Sequence, residues 1–143
     1  KIINLIFFLL YSNNICLYNK NNKQKENIMI IKANECKADA RKNMKGGDGT
    51  VYVTEFVSAN ELNGKGRLFG NIHLDPGASI GYHVHEGESE LFYVIRGEAL
   101  YNDNGTEYPL CAGDTAVVTA GNGHCIANRG TEPVDLIALI VYA

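Results

Sequence analysis

From Met29 onward the chain is cut into apolar runs of three to nine residues by clusters of Gly, Asn, Asp and Pro. A chain divided in this way has no material for a helical core and reads as a sandwich or barrel of short strands. The breaks include Lys45-Gly46-Gly47-Asp48-Gly49, Asp75-Pro76-Gly77, Asn102-Asp103-Asn104-Gly105 and Gly121-Asn122-Gly123. Between them, strands are expected at Val51–Phe56, Leu68–Leu74, Ile80–His85, Leu91–Ile95, Ala99–Tyr101, Glu107–Leu110, Thr115–Val118, His124–Asn128 and Val134–Tyr142. Asn104-Gly105 is a hairpin signal, because a type I′ turn needs positive φ at both central residues. Glu35–Arg41 is the one candidate helix, and a short one.

Alternation gives the facing of these strands. Glu90, Phe92 and Val94 share one side, and Leu91, Tyr93 and Ile95 the other. Val134–Tyr142 is apolar on both sides apart from Asp135. A strand apolar on both sides needs cover on both: the barrel interior on one, and either a second sheet layer or a partner subunit on the other, so a homodimer is expected. His73 falls opposite Leu68, Ile72 and Leu74, which places it outside the core.

At 143 residues the length suits one domain. Residues 1–28 differ from the rest: they contain no Gly, Ala, Pro, Arg, Val, Thr or Asp, and Asn, Ile, Lys, Leu, Phe and Tyr are in excess. The favoured residues have A/T-rich codons, and Lys25–Met29 back-translates to a purine-rich stretch just before a start codon. Residues 1–28 are therefore read as translated upstream sequence or a disordered leader, and 29–143 as the single domain. The competing reading, a secretory signal on Ile2–Tyr11, lacks a small-residue cleavage site. Residues 29–143 hold nine basic and 15 acidic residues, a net charge of −6, which disfavours nucleic acid. No apolar run is long enough to span a bilayer, so no membrane partner is expected. Cys16, Cys36, Cys111 and Cys125 form no C-x-x-C pair, which fits reduced thiols in a cytoplasmic protein.

Three of the four histidines carry the chemistry. His83 and His85 stand two apart on one strand and project to the same face, with Tyr82 and Val84 opposite. Glu90 follows a short connection, Glu86-Gly87-Glu88-Ser89, that can return its carboxylate to that face. His124 comes much later, after Gly121-Asn122-Gly123. Three imidazoles and one carboxylate suit one divalent transition metal. Supply and geometry put manganese or iron first, with zinc, nickel, cobalt or copper as alternatives. A dication with one carboxylate keeps a net positive charge and favours an anionic oxygen donor: a small carboxylate, hydroxy acid, enediol or sugar.

These residues make the chain resemble the cupins. The family's first motif, G-x5-H-x-H-x4-E-x6-G, is matched by Gly77, His83, His85, Glu90 and Gly97. The second, G-x5-P-x-G-x2-H-x3-N, is matched by Gly113, Gly121, His124 and Asn128, with Thr119 where proline is usual. The resemblance covers Gly66 to Tyr142. It implies an all-β jelly-roll barrel (a double-stranded β-helix), here preceded by a short N-terminal helix or extended segment. It also implies that His83, His85, Glu90 and His124 are ligands rather than proton carriers. A decarboxylase, dioxygenase or isomerase would need a further acid or base, for which Glu86, Glu88, Tyr101 and Arg67 are the candidates. Glu86 and Glu88 read first as a solvated turn, and Arg67 as a carboxylate-binding or simply exposed residue. Without such a group the chain would be a non-catalytic module that binds or senses a small ligand.

Overall fold

The structure, a computed structural model, describes residues 30–143. The expectations for residues 1–28 and for a start at Met29 lie outside the described residues. Among the described residues there are ten strands: β1 Ala38–Lys42, β2 Thr50–Val57, β3 Gly66–Leu74, β4 Ser79–Val84, β5 Glu88–Arg96, β6 Glu98–Asp103, β7 Thr106–Cys111, β8 Thr115–Val118, β9 Gly123–Ala127 and β10 Val134–Tyr142. All pairings are antiparallel. They form a six-stranded sheet in the order β1-β2-β3-β10-β5-β8 and a four-stranded sheet in the order β4-β9-β6-β7. The nine strands expected from the turn pattern are all there. The β6–β7 hairpin has Asn104 at φ 48° and Gly105 at φ 98°, as its sequence requires.

Two expectations are corrected. Glu35–Arg41 is not a helix: a single 3-10 turn at Ala33–Glu35 is followed by β1, which pairs with β2 from Ala38↔Thr54 to Lys42↔Thr50. A seven-residue helix has too few bonds to repay its nucleation, whereas β2 offers a ready backbone edge. The expected closed barrel is instead two sheets that share no strand. On one side Tyr101, Tyr108, Leu110 and Ala116 line a groove of about 390 Å³ between β7 and β8. On the other side the 3-10 turn Met44–Gly46, not a strand, packs on β4.

The core lies between the sheets. Leu68, Ile72 and Leu74 of β3, Phe92 and Val94 of β5 and Leu136, Ala138 and Ile140 of β10 meet Ile80, Tyr101 and Ile126 of the smaller sheet, all buried. Side chains alternate in and out along each strand, so one stripe per strand is removed from water. The reading of β5 holds: Glu90, Phe92 and Val94 are buried, and Tyr93 and Ile95 are exposed. His73 faces outward as expected, and its Nδ1 lies 2.7 Å from Asp135 and its Nε2 3.3 Å from Asp75. Buried Asn128 donates to the carbonyls of Leu74 and Glu132 and accepts from the Gly130 N–H, closing the turn before β10. No helix among the described residues is long and apolar enough to cross a membrane.

Candidate metal centre

A bulge in β4 aims the first histidine. Ile80 pairs with Ile126 and His83 with His124, so β4 spends one more residue than β9 between the two pairs. Bulges of this kind bend a strand and redirect its side chains. Tyr82 and Val84 point to solvent, while His83 and His85, the latter just beyond the strand, point inward. β9 brings His124 directly opposite His83, and β5 brings Glu90 from the larger sheet. His85, Glu90 and His124 are buried, and His83 is partly exposed.

Their ligand atoms converge within 4.8 Å of one another. The Nε2 atoms of His85 and His124 stand 3.0 Å apart, and those of His124 and His83 3.3 Å apart. Glu90 Oε2 is 3.0 Å from His124 Nε2, 3.2 Å from His85 Nε2 and 4.0 Å from His83 Nε2. Around a metal with bonds of about 2.1 Å, ligands at right angles stand about 3.0 Å apart and opposite ligands about 4.2 Å apart. The five separations above, 3.0 to 4.0 Å, fall within the range that donors to one ion can take.

The ring nitrogens facing away fix the tautomers. His83 Nδ1–H donates to the Gly81 carbonyl at 2.9 Å, and His85 Nδ1–H to the Glu88 carboxylate at 2.9 Å. Both partners only accept, so in the neutral rings both Nε2 atoms carry lone pairs. His124 Nδ1 lies 3.1 Å from the Tyr101 hydroxyl, and its ring stacks on Phe92 at a centroid distance of 5.2 Å. Lone pairs and a carboxylate pointed at one buried spot repel one another unless a proton or a cation sits between them. Burial pushes His83 below the usual histidine range, so its ring stays neutral and able to ligate. The Glu90 carboxylate facing its Nε2 raises His85. Burial pushes Glu90 upward, but the neighbouring His124 and His85 rings outweigh this and lower it. The group could therefore hold a metal ion.

Of the acid–base candidates, only Glu86 stays an exposed turn residue. Glu88 is corrected: it lies on β5 and is largely buried, with Arg67 donating to it through Nε at 2.7 Å and through an Nη at 2.6 Å. That pairing holds its carboxyl down at about 2. Burial raises the Tyr101 hydroxyl to about 12. Cys125 turns away from the pocket face and is a free thiol.

A family model for the cupin domain matches residues 70–142, half of the chain and all four of these residues. The chain is a cupin. This cupin is 36% identical over 113 residues to the oxalate-binding protein of Thermotoga maritima, spanning 79% of the chain and 93% of that relative. A crystal structure from the same organism, of a protein described as a predicted oxalate decarboxylase, superposes with a TM-score of 0.77. It covers 80% of this cupin and 100% of its own chain at 36% identity. A tetracenomycin polyketide synthase protein of Streptomyces glaucescens is 35% identical over 82 residues, 57% of this cupin and 55% of that protein. A Schizosaccharomyces pombe cupin domain, with a TM-score of 0.60 at 15% identity, shares the fold.

Proposed function

We propose that this cupin binds one divalent transition metal, manganese or iron first, through His83, His85, Glu90 and His124, and on it a small carboxylate of the oxalate type. The observation that supports this most is the convergence of two tautomer-fixed imidazoles, a third imidazole and an ionised carboxylate on one buried point. The metal would supply a positive centre with free positions for two oxygen donors. Among the described residues no Lys or Arg is buried, and Arg67, the guanidinium nearest the group through Glu88, is paired with that carboxylate. The oxalate-binding relative supports the same ligand class.

Binding without turnover is the reading we favour. A decarboxylation needs a group that gives up a proton beside the metal. Glu88 is committed to Arg67 and His85, and Tyr101 to His124, which leaves neither free for that role, and Glu86 is exposed on its turn. Calorimetry with oxalate, with and without manganese, tests the proposal, alongside assays for released carbon dioxide. Expected is saturable binding only in the manganese form, with oxalate recovered intact. No binding by the loaded protein would defeat the ligand assignment, and carbon dioxide release would defeat binding without turnover.

The homodimer expectation attaches to the outer face of the larger sheet, where Phe69, Tyr93, Ile95 and Val117 are exposed. A contiguous apolar face of this kind favours a partner, and a second copy offers a matching one. Sedimentation at the mass of two chains is the expected result, and at the mass of one the contrary one.

A further inference from the structure

We propose that Arg67 and Glu88 form a positioning pair that sets how tightly the centre holds its metal. The inference rests on the metal-binding reading above and adds two residues that touch neither metal nor ligand.

The contacts form a relay. Glu88 Oε1 accepts from both an Arg67 Nη, at 2.6 Å, and His85 Nδ1–H, at 2.9 Å, while Oε2 accepts from Arg67 Nε at 2.7 Å. The guanidinium grips both oxygens, so the plane of the carboxylate is set by a rigid fork and not by a flexible side chain. Lysine could match the charge but not the fork. The carboxylate then sets the ring plane of His85, which points Nε2 at the convergence point. A negative partner on Nδ1–H also increases the donor strength of Nε2, the effect an outer carboxylate has on a metal-bound imidazole.

The placement of the pair explains its precision. Arg67 lies on β3 and Glu88 on β5, and the end of β10 runs between them. There Tyr142 N–H donates to the Lys65 carbonyl and Ala143 N–H to the Gly87 carbonyl. The ion pair thus crosses the end of β10 at a point where backbone bonds hold both flanks. A surface ion pair between free side chains contributes little to stability. Here one member is largely buried and bonded to a buried histidine, so its effect reaches the proposed metal through that ring. Arg67 also offsets the charge of Glu88, which leaves the loaded centre with the net positive charge that the proposed ligand requires.

The test is manganese affinity, measured by competition against a chelator, for wild type, Glu88→Gln, Arg67→Met and the double variant. The cobalt form of each is also followed by its visible spectrum. Expected for Glu88→Gln is a weakening of about 10- to 100-fold. Arg67→Met should weaken binding less, with Arg67→Lys no better than partial rescue. Because Arg67 acts only through Glu88, adding Arg67→Met to Glu88→Gln should cost nothing more. The cobalt spectrum should shift in both single variants while the metal-free thermal midpoints stay close to wild type. Wild-type and Glu88→Gln affinities within twofold would overturn the pair's role and leave the metal-binding reading standing. So would fully additive losses in the double variant. A wild type that binds no manganese or cobalt would overturn both.

Discussion

Gly81→Ala should unfold or severely destabilise this protein, by about 3 kcal/mol or more, the upper range for forcing a methyl group into a filled site. A Cβ at position 81 would run into the Lys45 carbonyl oxygen, with the Gly47 nitrogen at 2.7 Å and the Gly46 carbonyl carbon at 2.9 Å. All three are backbone atoms, so no side chain can swing aside. The contact is reciprocal, because a Cβ on Gly47 would meet the Gly81 nitrogen at 2.7 Å and the Ser79 carbonyl. Two glycines face to face let the Met44–Gly46 turn close the β4 side of the sandwich. The same Gly81 carries the carbonyl that receives the His83 Nδ1–H. Any variant that folds should therefore also bind metal more weakly. Denaturant unfolding of the metal-free protein checks the first effect. A variant within about 0.5 kcal/mol of wild type, the usual range for surface changes, would contradict it.

Much of this architecture could be read from turn chemistry and alternation. The Gly- and Asn-rich breaks bracket nine of the ten strands, and the Asn104-Gly105 hairpin follows from the φ values those residues accept. The unexpected strand, β1, contains Ala38, Asp39, Ala40, Arg41 and Lys42. None of these alternates between core and solvent, so its extended form comes from β2 and left no periodic trace. A closed barrel failed for a related reason: nothing local in β4 or β8 tells whether a strand, a turn or a row of side chains will cover its free edge. The turn Met44–Gly46 covers one, and a side-chain groove borders the other.

The four inner residues of the site were legible because spacing and alternation are local. His83 and His85 share a face by period, and Glu90 shares one with Phe92 and Val94. What surrounds them was not. Glu88 lies 21 residues from Arg67 and two strands away, so the pairing exists only after β10 has inserted between β3 and β5. A trace was present even so: Glu88 and Glu90 have the same parity, which puts both on the inner side of β5. The bulge at Gly81 also had a sign, since a glycine inside a strand pattern often marks a bulge or a close backbone approach.

His124 sits at the middle of the four-residue group. Its Nε2 lies within 3.3 Å of the facing atoms of His83, His85 and Glu90 alike. Removing it would take away one of the four proposed ligands, which should weaken binding beyond the roughly 10–100-fold cost of losing an outer partner. Its ring also packs on Phe92, so His83→Ala, at the more exposed edge of the group, serves as a second variant should His124→Ala fold poorly. The measurement is elemental analysis of the protein purified without added metal, beside these two variants, with circular dichroism to show that each is folded. About one manganese or iron per wild-type chain, lost from both folded variants, is the expected outcome. A folded wild type with no transition metal, or variants that keep the wild-type metal content, would contradict it.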